Sequence, residues 1–172
     1  MTNETNPTGA GNLQGDPQAP VFQLQRVYLK DASLEMPHAP QIFLEQGTPQ
    51  IEVQLDVNQQ SVIEGVVEVL VRVTATARLA EKVLFLVEAS QAGIFELRGI
   101  PDQQRSAVLG IVCPGIIYPY LRANIADLLT RTGLPPIHLA EINFEALYQQ
   151  KNAQSAGEGS GLIVPPMTQT RQ

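Results

Sequence analysis

Val66–Leu97 reads VVEVLVRVTATARLAEKVLFLVEASQAGIFEL, and its alternation decides the fold. Successive side chains of a strand point to opposite faces. From Val66 to Ala77 this puts Val67, Val69, Val71, Val73, Ala75 and Ala77 on one face, against Glu68, Leu70, Arg72, Thr74 and Thr76 on the other. After a turn at Leu79–Lys82, Val83, Phe85 and Val87 take one side and Leu84, Leu86 and Glu88 the other, which makes a hairpin partner.

Upstream, Ile51, Val53, Leu55 and Val57 alternate with Glu52, Gln54 and Asp56 without error, a half-buried strand. In FQLQRVYLKDASLEM the apolar set is Phe22 and Leu24, then Val27 and Leu29, then Leu34 and Met36. Its parity changes twice, which a period of two permits only if bulges shift the faces. A long, bent first strand is expected.

Downstream the period changes. Asp102 is placed to cap a helix carrying Ala107, Val108, Ile111 and Val112, and Pro114–Gly115 should interrupt it before a main helix starts near Ile116. That helix should end at Gly133, ahead of Pro135 and Pro136. Asn143 opens a last short helix with Phe144, Leu147 and Tyr148 on one face. Strands followed by helices, not alternating with them, argue an α+β fold, a four-stranded antiparallel sheet with helices packed on one face.

The chain of 172 residues is long enough for one domain with a real core. Residues 1–20 and 152–172 are polar and rich in Gly, Pro, Asn, Thr and Gln, apart from Leu162–Val164, and read as mobile tails around a folded unit at 21–151. The net charge of −6 argues against nucleic acid, whose binding rests on neutralising phosphates, and favours basic partners. The first twenty residues hold neither a basic start nor an apolar run, so no signal peptide is read there. A single cysteine, Cys113, leaves no disulfide framework or multi-cysteine zinc site and suits a reducing cytosol.

Catalytic constellations are weak. Cys113 is flanked by Val112 and Pro114, with no cation near in sequence to lower its pKa, so a buried structural thiol is the better reading. His38 and His138 lack ligand spacing, and Asp31 with Glu35 has no further polar cluster to frame a pocket. Glycine runs occur only in the two tails, where no strand–helix junction makes a phosphate loop. No catalytic residue, metal or cofactor is expected.

The remaining signal is an apolar excess along GIVCPGIIYPYLRANIADLLTRTGLPPIHLAEINFEALY, residues 110–148. One apolar stripe suffices to pack a helix on its own domain. Here Ile116, Ile117, Tyr120, Leu121, Ile125, Leu128 and Leu129 cover more, so a second surface is implied. Ile117, Leu121, Ile125 and Leu128 are the expected oligomer interface. Candidate groove residues for apolar segments are Ile51, Val53 and Leu55, then Phe85 and Phe95. The helices add Tyr118, Tyr120, Phe144, Leu147 and Tyr148.

Together, FQLQRVYLKDASLEMPHAPQIF, VEVLVRVTATARL with VLFLVEASQAGIF, and CPGIIYPYLRANIADLLTRTGLPPIHLAEINFEALY resemble SecB, the bacterial protein-export chaperone family, over nearly all of Phe22–Tyr148. The resemblance implies a cytoplasmic homotetramer, a dimer of dimers with helices sandwiched between dimers. It also implies a holdase without nucleotide or cofactor, which keeps unfolded precursors translocation-competent and hands them to the SecA motor. SecA docking in the family uses acidic residues on the outer sheet face, and the matching positions are Asp31, Glu35, Leu86 and Glu88. Relatives often carry a tryptophan where this chain has Glu45–Thr48, so that client contact is missing. The alternatives are a SecB-like chaperone dedicated to an antitoxin and a purely structural oligomer.

Overall fold

The structure, a computed structural model, describes residues 19–155. Four long strands form one antiparallel sheet: β1 (Val21–Glu35), β2 (Gln50–Ile63), β3 (Val66–Leu79) and β4 (Lys82–Arg98), in the order β1-β4-β3-β2. The β3–β4 hairpin is the centre of the sheet. The turn between them needs only Ala80 and Glu81, with Ala80 at φ 50°. Gly65, at φ 74°, closes the β2–β3 hairpin where a side chain would be strained.

The parity changes in β1 coincide with breaks in pairing. Its register on β4 shifts between Leu24 and Arg26 and again between Leu29 and Asp31. Each bulge turns the apolar residues that follow back toward the covered face. Strand β2 runs six residues beyond Val57, through Asn58, Gln59, Gln60, Ser61, Val62 and Ile63. The first four, all polar, carry no alternation; it is the pairing of Asn58 with Leu70 and Ser61 with Val67 that makes them strand.

A continuous helical stretch then crosses the sheet: α1 (Asp102–Ala107), a π-turn at Val108–Val112, and α2 (Cys113–Thr130). The break expected at Pro114–Gly115 is absent. Instead the Cys113 N–H reaches back five residues to the Val108 carbonyl. An α-turn there would drive the Pro114 ring against the Gly110 carbonyl, which the ring cannot satisfy with a hydrogen bond; widening the turn ahead of the proline avoids both. Asp102 does not cap as expected either. It is the first helical residue, behind Pro101, and forms no side-chain cap bond; its carboxylate remains favourably placed at the positive end of the helix.

Helix α2 ends at Thr130, and tightening turns carry the chain to Gly133 at φ 79°. A link with Leu139 buried leads to α3 (Phe144–Ser155), whose first turn is capped by Asn143 Oδ1 accepting from the Ala146 N–H at 3.0 Å. This helix runs four residues past the boundary expected at residue 151. The rest of the two expected tails, residues 1–18 and 156–172, lies outside the described residues.

The core lies between sheet and helix. Val69, Val71, Val73, Ala75 and Ala77 of β3 and Val87, Ala89 and Phe95 of β4 are fully buried, and Cys113, Ile117, Leu121, Ile125 and Leu129 of α2 meet them from above. The stretch Asp102–Thr130 is long and apolar enough to span a membrane by length and composition. Its α2 part packs on β3 and β4 through Cys113, Ile117, Leu121, Ile125 and Leu129.

Candidate functional site

The face of the sheet away from the helices is built by register. In an antiparallel sheet directly paired residues share a face. Asp31 pairs with Ser90, Ser33 with Glu88 and Glu35 with Leu86 across β1 and β4; Ser90 pairs with Arg72, Glu88 with Thr74 and Leu86 with Thr76 across β4 and β3. The four residues Asp31, Glu35, Leu86 and Glu88 therefore stand together on the outer face. Asp31 and Glu35 are exposed, while Leu86 and Glu88 are half-buried.

Toward the other end of the same face lies a hub that sequence reasoning passed over. Glu68 is only 4% exposed, and it accepts hydrogen bonds from Tyr28, from Lys30 Nζ at 2.6 Å and from Gln60 Nε2 at 2.7 Å. Burial alone would raise its carboxyl, but the donors Lys30, Tyr28 and Gln60 hold it below the ordinary carboxylate range. The same hydrogen bond, with burial, pushes the Tyr28 hydroxyl up to about 12. These donors come from β1 and β2, so one carboxylate ties both edge strands to β3. Alternation put Glu68 on the polar face but could not say who would surround it.

On the helix side the structure sorts the apolar candidates. Phe95, stacked on Phe22 with ring centroids 5.9 Å apart, is fully buried, and Leu55, Phe85, Tyr118 and Phe144 are buried as well. Tyr118 donates to the Ala140 carbonyl at 2.7 Å and meets Phe144 edge-on. Ile51, Val53, Leu147 and Tyr148 are half-buried, and Tyr148 lies so close over Gly110 that no Cβ fits there. Of the ten candidates only Tyr120 is freely exposed, at 52%. The others serve the core of their own chain first.

Three of the expected interface residues need correction. Ile117, Leu121 and Ile125 are at 0% exposure and face their own sheet; Leu128 is half-buried. The reason is the β4 surface beneath them, which presents Gly93 and leaves room for Ile117. A second apolar surface does exist, on the opposite stripe of the helix, where Val112 and Tyr120 are exposed and Ile116 is half-buried. Also missed were Phe43 at 49% and Leu44 at 86% exposure, on a 3-10 turn between β1 and β2. The signal was legible: Ile-Phe-Leu set between Pro40 and Gly47, of which only Ile42 turns inward.

Cys113 is fully buried, and burial pushes its thiol up to about 12, far from the thiolate that nucleophilic chemistry needs. His38 donates through Nδ1 to the Val83 carbonyl at 3.0 Å and ties the β1–β2 connection to the hairpin end. The arrangement offers an acidic platform on one side and apolar surfaces on the other.

The family model described as SecB, preprotein translocase subunit SecB, matches residues 15–155. The protein-export protein SecB of Methylibium petroleiphilum is 56% identical over 84% of this chain and 94% of its own length. That of Herminiimonas arsenicoxydans is 59% identical over 85% of this chain and 92% of its own. Among solved structures, a SecB-like chaperone of Mycobacterium tuberculosis, in complex with a ChAD peptide from an antitoxin, superposes with a TM-score of 0.59 at 17% identity, covering 70% of this chain and 90% of that one.

Proposed function

The chain belongs to the SecB family of protein-export chaperones, and from that premise we propose how this molecule divides its labour between the two sides of its sheet. The outer face, through Asp31, Glu35, Leu86 and Glu88, docks SecA. The helix side holds unfolded precursors. The protein works in the cytoplasm as a tetramer, and it holds its clients without nucleotide.

The observation that carries this reading is the separation of chemistry by register: three carboxylates and Leu86 gather on the face opposite the helices, and exposed apolar side chains gather elsewhere. A basic segment gains complementarity and a faster encounter on the first surface. An unfolded chain gains only apolar burial on the second, where each fully buried side chain is worth about 1.5–3 kcal/mol, so several weak contacts acting together give affinity with little sequence preference. Phe43 and Leu44 are among the exposed apolar side chains open to a client, and Ile51, Val53, Leu147 and Tyr148 add half-buried apolar surface.

The tetramer forms, in this reading, through the outward stripe of the long helix. Val112, Ile116 and Tyr120 there are the apolar side chains not spent on the sheet. A chaperone dedicated to an antitoxin is the weaker reading, because the likeness to such a protein is one of fold, whereas the relatives at 56–59% identity are protein-export chaperones.

Light scattering of a denatured precursor, diluted with and without this protein, tests the proposal. Suppression of aggregation should be equal with ATP, with a non-hydrolysable analogue and with neither. An ATP requirement of this protein alone, or no suppression at all, defeats it.

A further inference from the structure

Among the described residues, Asp31 and Glu35 meet no charged or hydrogen-bonding side chain, whereas Glu88 already has company on its own sheet. Arg72 Nε stands 3.8 Å from Glu88 Oε1 and donates to Ser90 Oγ at 3.1 Å; Thr74 Oγ1 donates to the other carboxylate oxygen, Oε2, at 3.0 Å. We propose that Arg72 is an internal competitor of the docking partner: it holds Glu88 until a basic group of that partner displaces it, and so sets how tightly the outer face binds. The inference rests on the outer face being the SecA dock and concerns the regulation of that same site.

The geometry favours exchange. At 3.8 Å the guanidinium and the carboxylate attract without a direct hydrogen bond, so a lysine or arginine arriving at hydrogen-bond distance gains what Arg72 does not have. Arg72 keeps its anchor on Ser90 after the exchange, which makes its movement short. Thr74 keeps Glu88 oriented meanwhile, so the carboxylate stays aimed outward. Side-chain exposures of 48% for Arg72 and 34% for Glu88 leave both within a partner's reach.

Lys30, another cation of this face, is not available for the same role. It stands 2.6 Å from the nearly buried Glu68 and is committed there. Arg72 is the cation that stands beside Glu88, and it can yield. An exposed pair of this kind weighs about two- to fivefold in an equilibrium. That is enough to tune a hand-off and too little to block it.

The test titrates the full chain against purified SecA at several salt concentrations, comparing the parent with Arg72→Gln, Glu88→Gln, the double variant, Asp31→Asn and Arg78→Gln. Arg78 lies on the same strand and face, so its removal makes the same change in net charge. Arg72→Gln should tighten binding about two- to fivefold and steepen its salt dependence, and the gain should vanish when Glu88→Gln is also present. Weaker or unchanged binding of Arg72→Gln overturns the inference, as does an equal gain from Arg78→Gln. If Glu88→Gln and Asp31→Asn each leave SecA binding at the parental level, it is the dock itself that is wrong.

Discussion

Ile117 rests on Gly93: a methyl group in place of the glycine hydrogen would stand 2.7 Å from Ile117 Cγ2 and 2.7 Å from the Phe95 ring. The helix approaches β4 so closely because β4 has no side chain at that point. Beside it, Asn124 Nδ2 donates to Gln91 Oε1 at 2.6 Å, which satisfies a glutamine that is 2% exposed and fixes the helix along the strand.

Gly93→Ala should therefore destabilise the fold, by about 1–3 kcal/mol, through overpacking. Ile117→Ala at the other side of the same contact should cost about 2–5 kcal/mol by opening a cavity. Urea denaturation followed by circular dichroism reads both. A Gly93→Ala variant as stable as the parent would mean that the helix can shift without loss.

The Glu68 hub predicts a dependence on pH at both ends. Its folded-state pKa is lowered, so its stabilising contribution is present above the unfolded carboxylate value, about 4.3, and is lost as pH falls through the folded one. Tyr28 is raised to about 12, so its contribution is present below the unfolded value, about 10, and is lost as pH rises toward the folded one. Thermal denaturation across pH should show Tyr28→Phe flattening the alkaline limb and Glu68→Gln the acid limb. Unchanged limbs in both variants would remove the hub from the account.

Assembly and folding separate on the two stripes of the long helix. Leu121→Glu buries a charge against the sheet and should unfold the chain, since its side chain has 0% exposure. Tyr120→Glu, on the exposed stripe, should leave the monomer folded and shift sedimentation toward smaller species. A Tyr120→Glu variant that sediments like the parent would put the interface elsewhere.

Reversal of charge on the outer face, Glu35→Lys with Glu88→Lys, should weaken SecA binding and its salt dependence while client holding stays near parental. Both groups face away from the helices, so the apolar surfaces are untouched. Loss of both partners together would show that the two sides of the sheet are not independent.

Cys113→Ser should leave aggregation suppression intact and lower stability, by about 1–3 kcal/mol if the buried hydroxyl goes unpaired. In the native protein the thiol should resist alkylation at neutral pH, because burial holds it near 12. Rapid labelling of the folded chain would contradict the buried position.

Much of the fold was legible in local pattern. A period of two marked the strands, and the two parity changes in β1 located its bulges, because a half-buried strand must return its apolar side chains to the covered face after every slip. Asn143 and Gly133 marked helix ends through the backbone conformations and bonds those residues favour. Local pattern also showed that the long helix has more apolar surface than one contact needs.

What the sequence left undecided was everything that depends on neighbours distant along the chain. Periodicity does not choose which of two apolar stripes turns inward; the gap at Gly93 does, and it sends Ile117, Leu121 and Ile125 to the sheet and Tyr120 to solvent. Nor could it foresee that Pro114 would be absorbed by a π-turn, because packing of α2 on β3 and β4 outweighs the local cost of breaking the α pattern. The meeting of Glu68 with Tyr28, Lys30 and Gln60, and of Arg72 with Glu88, follows from the strand order β1-β4-β3-β2. Alternation assigns each residue a face, and only the tertiary pairing of strands decides which charges share it.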